Sequence, residues 1–201
     1  METQVKILAF AGSLRKNSFN KKLVQIAAEG ARSAGATVTY IDLQEFPLPV
    51  FDQDLEEMEG LHPNAQKLKA LMSSHHAFLI AAPEYNSSIS GALKNFIDWT
   101  SRPAPGEGML TCFQGRAAGL MSASPGTLGG LRGLVHVRDI LENIGMLVVP
   151  HQVAVSRAHE AFESDTALKD KKQQASVARI GEDVTKLSKS LLSSAVALCL
   201  F

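Results

Sequence analysis

The stretch Val5-Lys6-Ile7-Leu8-Ala9-Phe10-Ala11-Gly12-Ser13-Leu14-Arg15-Lys16-Asn17-Ser18-Phe19-Asn20 runs from an apolar segment into a polar turn, and a helical pattern begins near Lys21. A strand, a polar turn and a helix N-terminus in that order form the opening unit of an open α/β protein, and they put the turn where such folds bind anions. The turn is well supplied for that task. Ser13 and Ser18 bring hydroxyls, Asn17 and Asn20 amides, Arg15 a planar guanidinium, and the opening helix its free backbone N–H groups. A helix cap needs one such side chain, so five of them predict a bound anion.

The rest of the chain repeats the unit. Apolar β-type runs at Val5–Ala11, Thr37–Leu43, His76–Ala82, Arg116–Ser122 and Met146–Pro150 alternate with helical patterns at Ser18–Ala34, Pro63–Ser74, Gly91–Ser101, Gly130–Ile144 and from Ser164 to near the end. Alternating β and α elements predict a parallel sheet covered on both faces. Five strands give a three-layer, flavodoxin-like α/β fold of order 2-1-3-4-5, whose ligand crevice lies at the carboxyl ends of strands one, three and four. With 201 residues, 45% of them hydrophobic, the chain fits one such domain over 1–201.

What the first turn lacks narrows the anion. After Gly12 there is no second glycine followed by Lys and Ser/Thr, and no triplet of glycines that lets a pyrophosphate lie on bare backbone. A nest of side chains suits one terminal phosphate, the kind FMN carries. The other two crevice loops are Pro83-Glu84-Tyr85-Asn86-Ser87-Ser88 and Ser122-Ala123-Ser124-Pro125-Gly126-Thr127-Leu128-Gly129-Gly130. The first sets Pro83 as a rigid exit from its strand, turn-forming Asn86 and serines that aim backbone polar groups inward, and Tyr85 as an aromatic with a wet tip. The second is rich in small residues that let backbone approach a flat ring. Taken singly, each also reads as an ordinary turn or a flexible connection.

Composition excludes several classes. Lys+Arg and Asp+Glu both total 20, so no net field favours nucleic acid or an anionic membrane. Cys112 and Cys199 stand far apart without Cys-x-x-Cys spacing, as reduced thiols of a cytoplasmic protein do. Val5–Ala11 is too short and too interrupted for a secretory signal, and Leu191–Phe201 is too short to span a bilayer.

Gly12-Ser13-Leu14-Arg15 with Ser18-Phe19-Asn20, then Pro83-Glu84-Tyr85-Asn86 leading into Gly91-Ala92-Leu93-Lys94-Asn95 and Asp98-Trp99, resembles the NAD(P)H-dependent FMN reductase family, which includes quinone, chromate and azo-dye reductases. The resemblance spans roughly residues 5 to 150. It implies bound FMN, with the phosphate on Ser13, Arg15, Asn17, Ser18, Phe19 and Asn20, the isoalloxazine on Pro83, Glu84, Tyr85, Asn86 and Ser87, and a third wall from Ser122, Ser124 and Gly126. It also implies hydride transfer from NADPH or NADH through the flavin to a small acceptor such as free flavin, quinone, chromate or an azo compound. The chain departs from the family pattern at Ser87, Ser90 and Leu134-Val135.

Such chemistry belongs to the cofactor and asks for no catalytic side chain. Asp98, Asp139, His136 and His151 are expected away from the crevice, and the adjacent His75 and His76 on opposite faces do not form a metal pair. A flavodoxin-type electron carrier, or a flavin-binding module without efficient NAD(P)H turnover, is the alternative; zero net charge argues against a carrier that docks basic partners. The helix Gly91–Ser101 carries Leu93, Phe96, Ile97 and Trp99, more large apolar groups than one core-facing stripe holds, so a homodimer or homotetramer is expected to meet through it with Phe96 and Trp99 as anchors.

Overall fold

Lys6–Ala11 forms β1, and its alternation fixes the layers. Ile7, Ala9 and Ala11 enter one buried cluster and Leu8 and Phe10 the other, so a near-continuous apolar run is explained by two covered faces. The computed structural model describes residues 4–104 and 106–198. After β1 come α1 (Phe19–Ser33), β2 (Thr37–Tyr40), α2 (Gln53–Glu59), α3 (Pro63–Ser73) and β3 (Ala77–Ala81). There follow β4 (Glu84–Tyr85), β5 (Ser88–Ile89), α4 (Gly91–Ser101), β6 (Ala117–Ala123) and α5 (Leu131–Asn143). The chain continues through β7 (Leu147–Val148), β8 (Val153–Val155), α6 (Ala158–Ala161), β9 (Phe162–Ser164), β10 (Ala167–Leu168) and α7 (Lys171–Leu198). Cys199 and the end of the apolar C-terminal run lie outside the described residues.

The main sheet runs β2-β1-β3-β6-β7 with every pair parallel, and β8 also pairs with β6. That is the expected 2-1-3-4-5 order, with one correction. The fifth strand is not continuous over 146–150: Leu147–Val148 pairs with Ala117–Ala118, the chain bulges out through Pro150, and Val153–Val155 rejoins opposite Met121–Ala123. Pro150 has no N–H to give a ladder. Arg138 satisfies the carbonyls freed there, donating to Val149 O at 2.9 Å and to the Gln152 side chain at 3.0 Å.

Two further expectations are corrected. The last helix begins at Lys171, because the β9–β10 hairpin occupies 162–168. Phe96 and Trp99 were expected to anchor a second subunit, but the segment 44–61, which contains α2, is pinned to α4. Pro49 O accepts from Asn95 Nδ2 and from Trp99 Nε1, both at 2.8 Å, and the Phe51 ring meets Trp99 edge-on at 5.1 Å. Trp99 is therefore only 1% exposed and Phe96 3%, so neither is a free anchor for a second subunit. The four large apolar groups of α4 are absorbed because this segment gives the helix a second apolar neighbour, which helical periodicity alone does not reveal.

Two features position the crevice. On one face α1 and α7 touch backbone to backbone: a Cβ at Gly30 would sit 2.0 Å from Ala178 O, and one at Gly181 2.0 Å from Ala27 O. This contact clamps the C-terminal half of α1 against α7 and so fixes the direction of the helix. On the other face the β4–β5 hairpin turns through Asn86 and Ser87, both at positive φ (50° and 66°), as a two-residue turn whose twist matches its strands requires. Glu84 ties this hairpin to α5, accepting from Arg132 Nε at 2.9 Å and from the Gly133 N–H at 3.1 Å. Burial opposes ionisation of Glu84, but the guanidinium and the backbone donor outweigh it and hold the carboxyl below its ordinary 4.5.

Gly181→Ala is expected to force α1 and α7 apart and to lower stability by about 2–3 kcal/mol in urea unfolding; an unchanged midpoint would contradict the backbone contact. Because the folded Glu84 value lies below the unfolded one, its contribution is fully present above pH about 4.5 and is lost as pH falls through the folded value. Glu84→Gln is thus expected to melt below wild type at neutral pH and to converge with it in strong acid. A melting gap that stays constant with pH would overturn this assignment.

Candidate functional site

The three loops predicted to form the crevice do emerge side by side, because β1, β3 and β6 are adjacent and parallel. Their mutual bracing is done by side chains gripping backbone. Asn20 on α1 donates its Nδ2 to Ala123 O and accepts the Ala123 N–H, each at 2.9 Å, clasping the first loop to the third. Ser122 donates to Ala82 O at 2.6 Å, joining the third loop to the second. Ser90 caps α4 by accepting the Leu93 N–H and donates its hydroxyl to Gly12 O, joining the second to the first. All three braces are buried.

The predicted site residues therefore fall into two groups. Asn20, Ser122 and Glu84 commit their polar atoms to partners within the chain and shape the crevice from behind. The Phe19 ring likewise packs on Phe162, with centroids 5.9 Å apart, leaving its backbone N–H for the loop. Ser13 is buried and accepts the Arg15 N–H at 3.3 Å, so its own proton stays available. Arg15, Asn17, Tyr85, Asn86 and Gly126 are exposed along the crevice rim, Pro83 is buried at its base, and Ser87 and Ser124 are half-buried.

Ser18 stands apart from both groups. It is the N-cap residue of α1, yet its side chain makes no capping bond, and the residue is only 4% exposed. The first intrahelical bond is Lys22 N–H to Ser18 O, so the N–H groups of Phe19, Asn20 and Lys21 find no backbone acceptor among the described residues. The first turn holds no acid and instead carries Lys21 and Lys22. Cations at a helix N-terminus oppose its dipole by about 0.3–1 kcal/mol each. Lys21 pairs with Asp42 and Lys22 with Asp165, so the open N–H groups and the idle hydroxyl are what an anion would satisfy, and Arg15, without an ion pair among the described residues, lies on the same loop.

Close approach is enforced by glycine. A Cβ at Gly12 would come within 2.6 Å of Leu93 Cβ, and one at Gly130 within 2.0 Å of Ser122 Oγ. Gly129 and Gly130 also hold positive φ, which a side chain would strain.

Sequence reasoning missed Ser90, Arg132 and His136. Ser90 was visible only as a departure from a family pattern. His136, expected away from the crevice, hydrogen-bonds Ser88 Oγ at 3.0 Å and so braces the hairpin. Of the tempting pair, His75 engages Thr39 Oγ1 and Leu71 O, while His76 Nδ1 accepts the Lys6 N–H at 3.0 Å. Burial, with Lys6, His75 and Arg116 nearby, holds His76 below its ordinary value, which suits an acceptor. On the other side of α1, burial and the negative charges of Asp42 and Glu45 push the Tyr40 hydroxyl up to about 12, so it remains a donor.

Residues 5–160, which include all three loops, match the sequence model of the NADPH-dependent FMN reductase family. The chain is similar to a probable NADPH:quinone oxidoreductase of Oryza sativa subsp. japonica, with 34% identity over 171 residues, 83% of this chain and 80% of the relative. It is also similar to an NAD(P)H-dependent FMN reductase of Pseudomonas aeruginosa, with 33% identity over 174 residues, 86% of this chain and 89% of that one. Among solved structures, a flavoenzyme NAD(P)H:(acceptor) oxidoreductase from Paracoccus denitrificans superposes with a TM-score of 0.73 at 26% identity, covering 90% of this chain and 98% of its own. The turn that opens the sequence, the sheet that carries it and these likenesses agree, and the chain belongs to the NADPH-dependent FMN reductase family.

Proposed function

We propose that FMN is held with its phosphate on the loop from Ser13 to Asn20 and its ring between Pro83–Ser87 and Ser122–Gly126, and that a quinone-type compound is the acceptor. The observation that carries this reading is the unpartnered N-terminus of α1 with the idle Ser18 hydroxyl. A dianionic phosphate there takes the free N–H groups of Phe19, Asn20 and Lys21, the hydroxyls of Ser13 and Ser18, the Asn17 amide and the Arg15 fork, and it removes the penalty of Lys21 and Lys22. When bound, FMN accepts the hydride of NAD(P)H and passes the electron pair to the acceptor.

The chain's own residues supply position. Pro83 and the Asn86-Ser87 turn present backbone polar groups to the ring edge, and Tyr85, 53% exposed, lines its open side. Ser124 and Gly126 offer a third wall where the Gly126 N–H is turned back onto Ser124 Oγ. Asn20, Ser122, Ser90 and Glu84 fix the three loops relative to one another, so little ordering remains to be done when ligand enters. No side chain takes or gives a proton in this scheme.

The chemistry is tested by adding NADPH anaerobically to the purified yellow protein and following the visible flavin band, which is expected to bleach and to recover on adding a quinone. A flavin that NADPH leaves oxidised would favour the electron-carrier reading. Arg15→Ala is expected to weaken FMN binding by about 2–3 kcal/mol, on the order of 30- to 150-fold, by fluorescence titration. Equal affinity in the two proteins would remove Arg15 from the site.

We further infer a cytoplasmic homodimer or homotetramer that meets beside α4. Phe96 and Trp99 are committed internally, but Val50, 84% exposed, stands next to Asn95, and the outer side of α4 offers Lys94 and Asp98. Among the described residues no helix is long and apolar enough to cross a membrane, and Cys112 is a buried free thiol. Light scattering is expected to show an assembly in wild type and a smaller species for Val50→Asp; a fully active monomer would overturn the inference.

A further inference from the structure

The anion loop has a second neighbour. Asn17 and Ser18 form one end of a cavity of about 350 Å³ that runs down the outer flank of α1, where Ser18, Lys21, Lys22 and Gln25 lie on one side of the helix at intervals of three and four. Tyr40 and Asp42 at the carboxyl end of β2, and Asp165 and Thr166 in the β9–β10 turn, complete its lining. The size falls near the lower end of ordinary small-molecule sites, roughly 300–1,000 Å³.

Its lining has the polarity of a nucleotide site. Lys16 has no ion-pair partner among the described residues, Lys21 is paired with Asp42, and Lys22 reaches Asp165 at 2.8 Å, a carboxylate that is itself 85% exposed. The cavity thus joins three lysines to a half-buried aromatic phenol, which stays a donor, and to Asp42, whose oxygens already accept from Lys21 Nζ and the Gln44 N–H and keep further lone pairs for sugar hydroxyls. Ser18, 4% exposed and without a side-chain partner among the described residues, lines this space.

We propose that this cavity receives the adenylate half of a flavin dinucleotide, so that the protein holds FAD as well as FMN. The inference rests on the phosphate placement given above. A ligand that reaches the cavity from Asn17 and Ser18 must continue past the flavin phosphate, and a dinucleotide flavin does so. The loop lacks the glycines that would let a pyrophosphate lie on bare backbone; here the second phosphate meets the side chains of Lys16 and Lys22 instead. Adenine lies along Tyr40, and Asp42 accepts from the ribose.

The test equilibrates the protein with FMN, FAD and riboflavin at equal concentrations, removes free flavin by gel filtration and quantifies what stays bound. FAD is expected in roughly a tenth or more of the sites, an affinity within about tenfold of FMN, with riboflavin excluded. FMN retained without FAD would overturn the dinucleotide site and leave the phosphate loop standing, whereas riboflavin retained as well as FMN would overturn both. Gln25→Trp fills the far cavity and is expected to cut the FAD share at least tenfold with FMN loading unchanged. Thr166→Trp, on the β9–β10 turn, should do the same, and it decides the matter if Gln25→Trp loses both flavins through misfolding. Should either variant raise the KM for NADPH and leave the FAD share alone, the cavity serves the nicotinamide nucleotide and the proposal fails.

Discussion

The two hydrogen bonds between the Asn20 side chain and the backbone of Ala123 are the interaction on which the crevice depends. A parallel sheet ends with all of its strands releasing loops at one edge, and nothing in the ladder ties those loops together. Ala123 is the last residue of β6, where its N–H and C=O would otherwise be buried without partners. Removing the amide would strand two backbone groups at about 1–3 kcal/mol each. The same contact sets the distance between the N-terminus of α1 and the glycine-rich loop that follows β6. Stability and site geometry are therefore the same bonds.

Electrostatics at the start of α1 complete the argument. A helix that opens with Lys21 and Lys22, has no acid in its first turn and leaves its cap hydroxyl idle is locally unfavourable by itself. Such conflicts between local preference and fold mark functional positions. Asp42 and Asp165 relieve the lysine charges only in part, since Asp165 is largely in solvent. Under the proposed function, a phosphate at the start of α1 would offset the charge that remains.

Much of this was legible in the sequence because it rests on local pattern. Apolar runs alternating with helical patterns pointed to the sheet order, the punctuation by Gly12, Pro83 and Gly130 marked the three loops, and Gly91–Ser101 emerged with the bounds it has in the structure. The fifth strand misled because Pro150 interrupts a ladder that resumes at Val153, and resumption is a matter of partner strand rather than of propensity. Trp99 misled because its cover comes from residues 49–51, nearly fifty positions away in sequence. An apolar surplus on a helix says that a second neighbour exists and leaves its origin open.

The site residues divide along the same line. Sequence identifies polar residues at a crevice, but a side chain's role is set by whichever partner reaches it first. Asn20 and Ser18 are two positions apart and both nearly buried, yet one is saturated by Ala123 and the other has no side-chain partner among the described residues. The difference arises from direction: Asn20 points across the α1 start toward β6, while Ser18 opens onto the flank cavity. A saturated amide cannot exchange its bonds for those of a ligand without leaving the Ala123 groups unpaired, so it serves as scaffold. The Ser18 hydroxyl, which solvent still reaches, has no bond within the described residues to give up, so a ligand's oxygen there replaces water only.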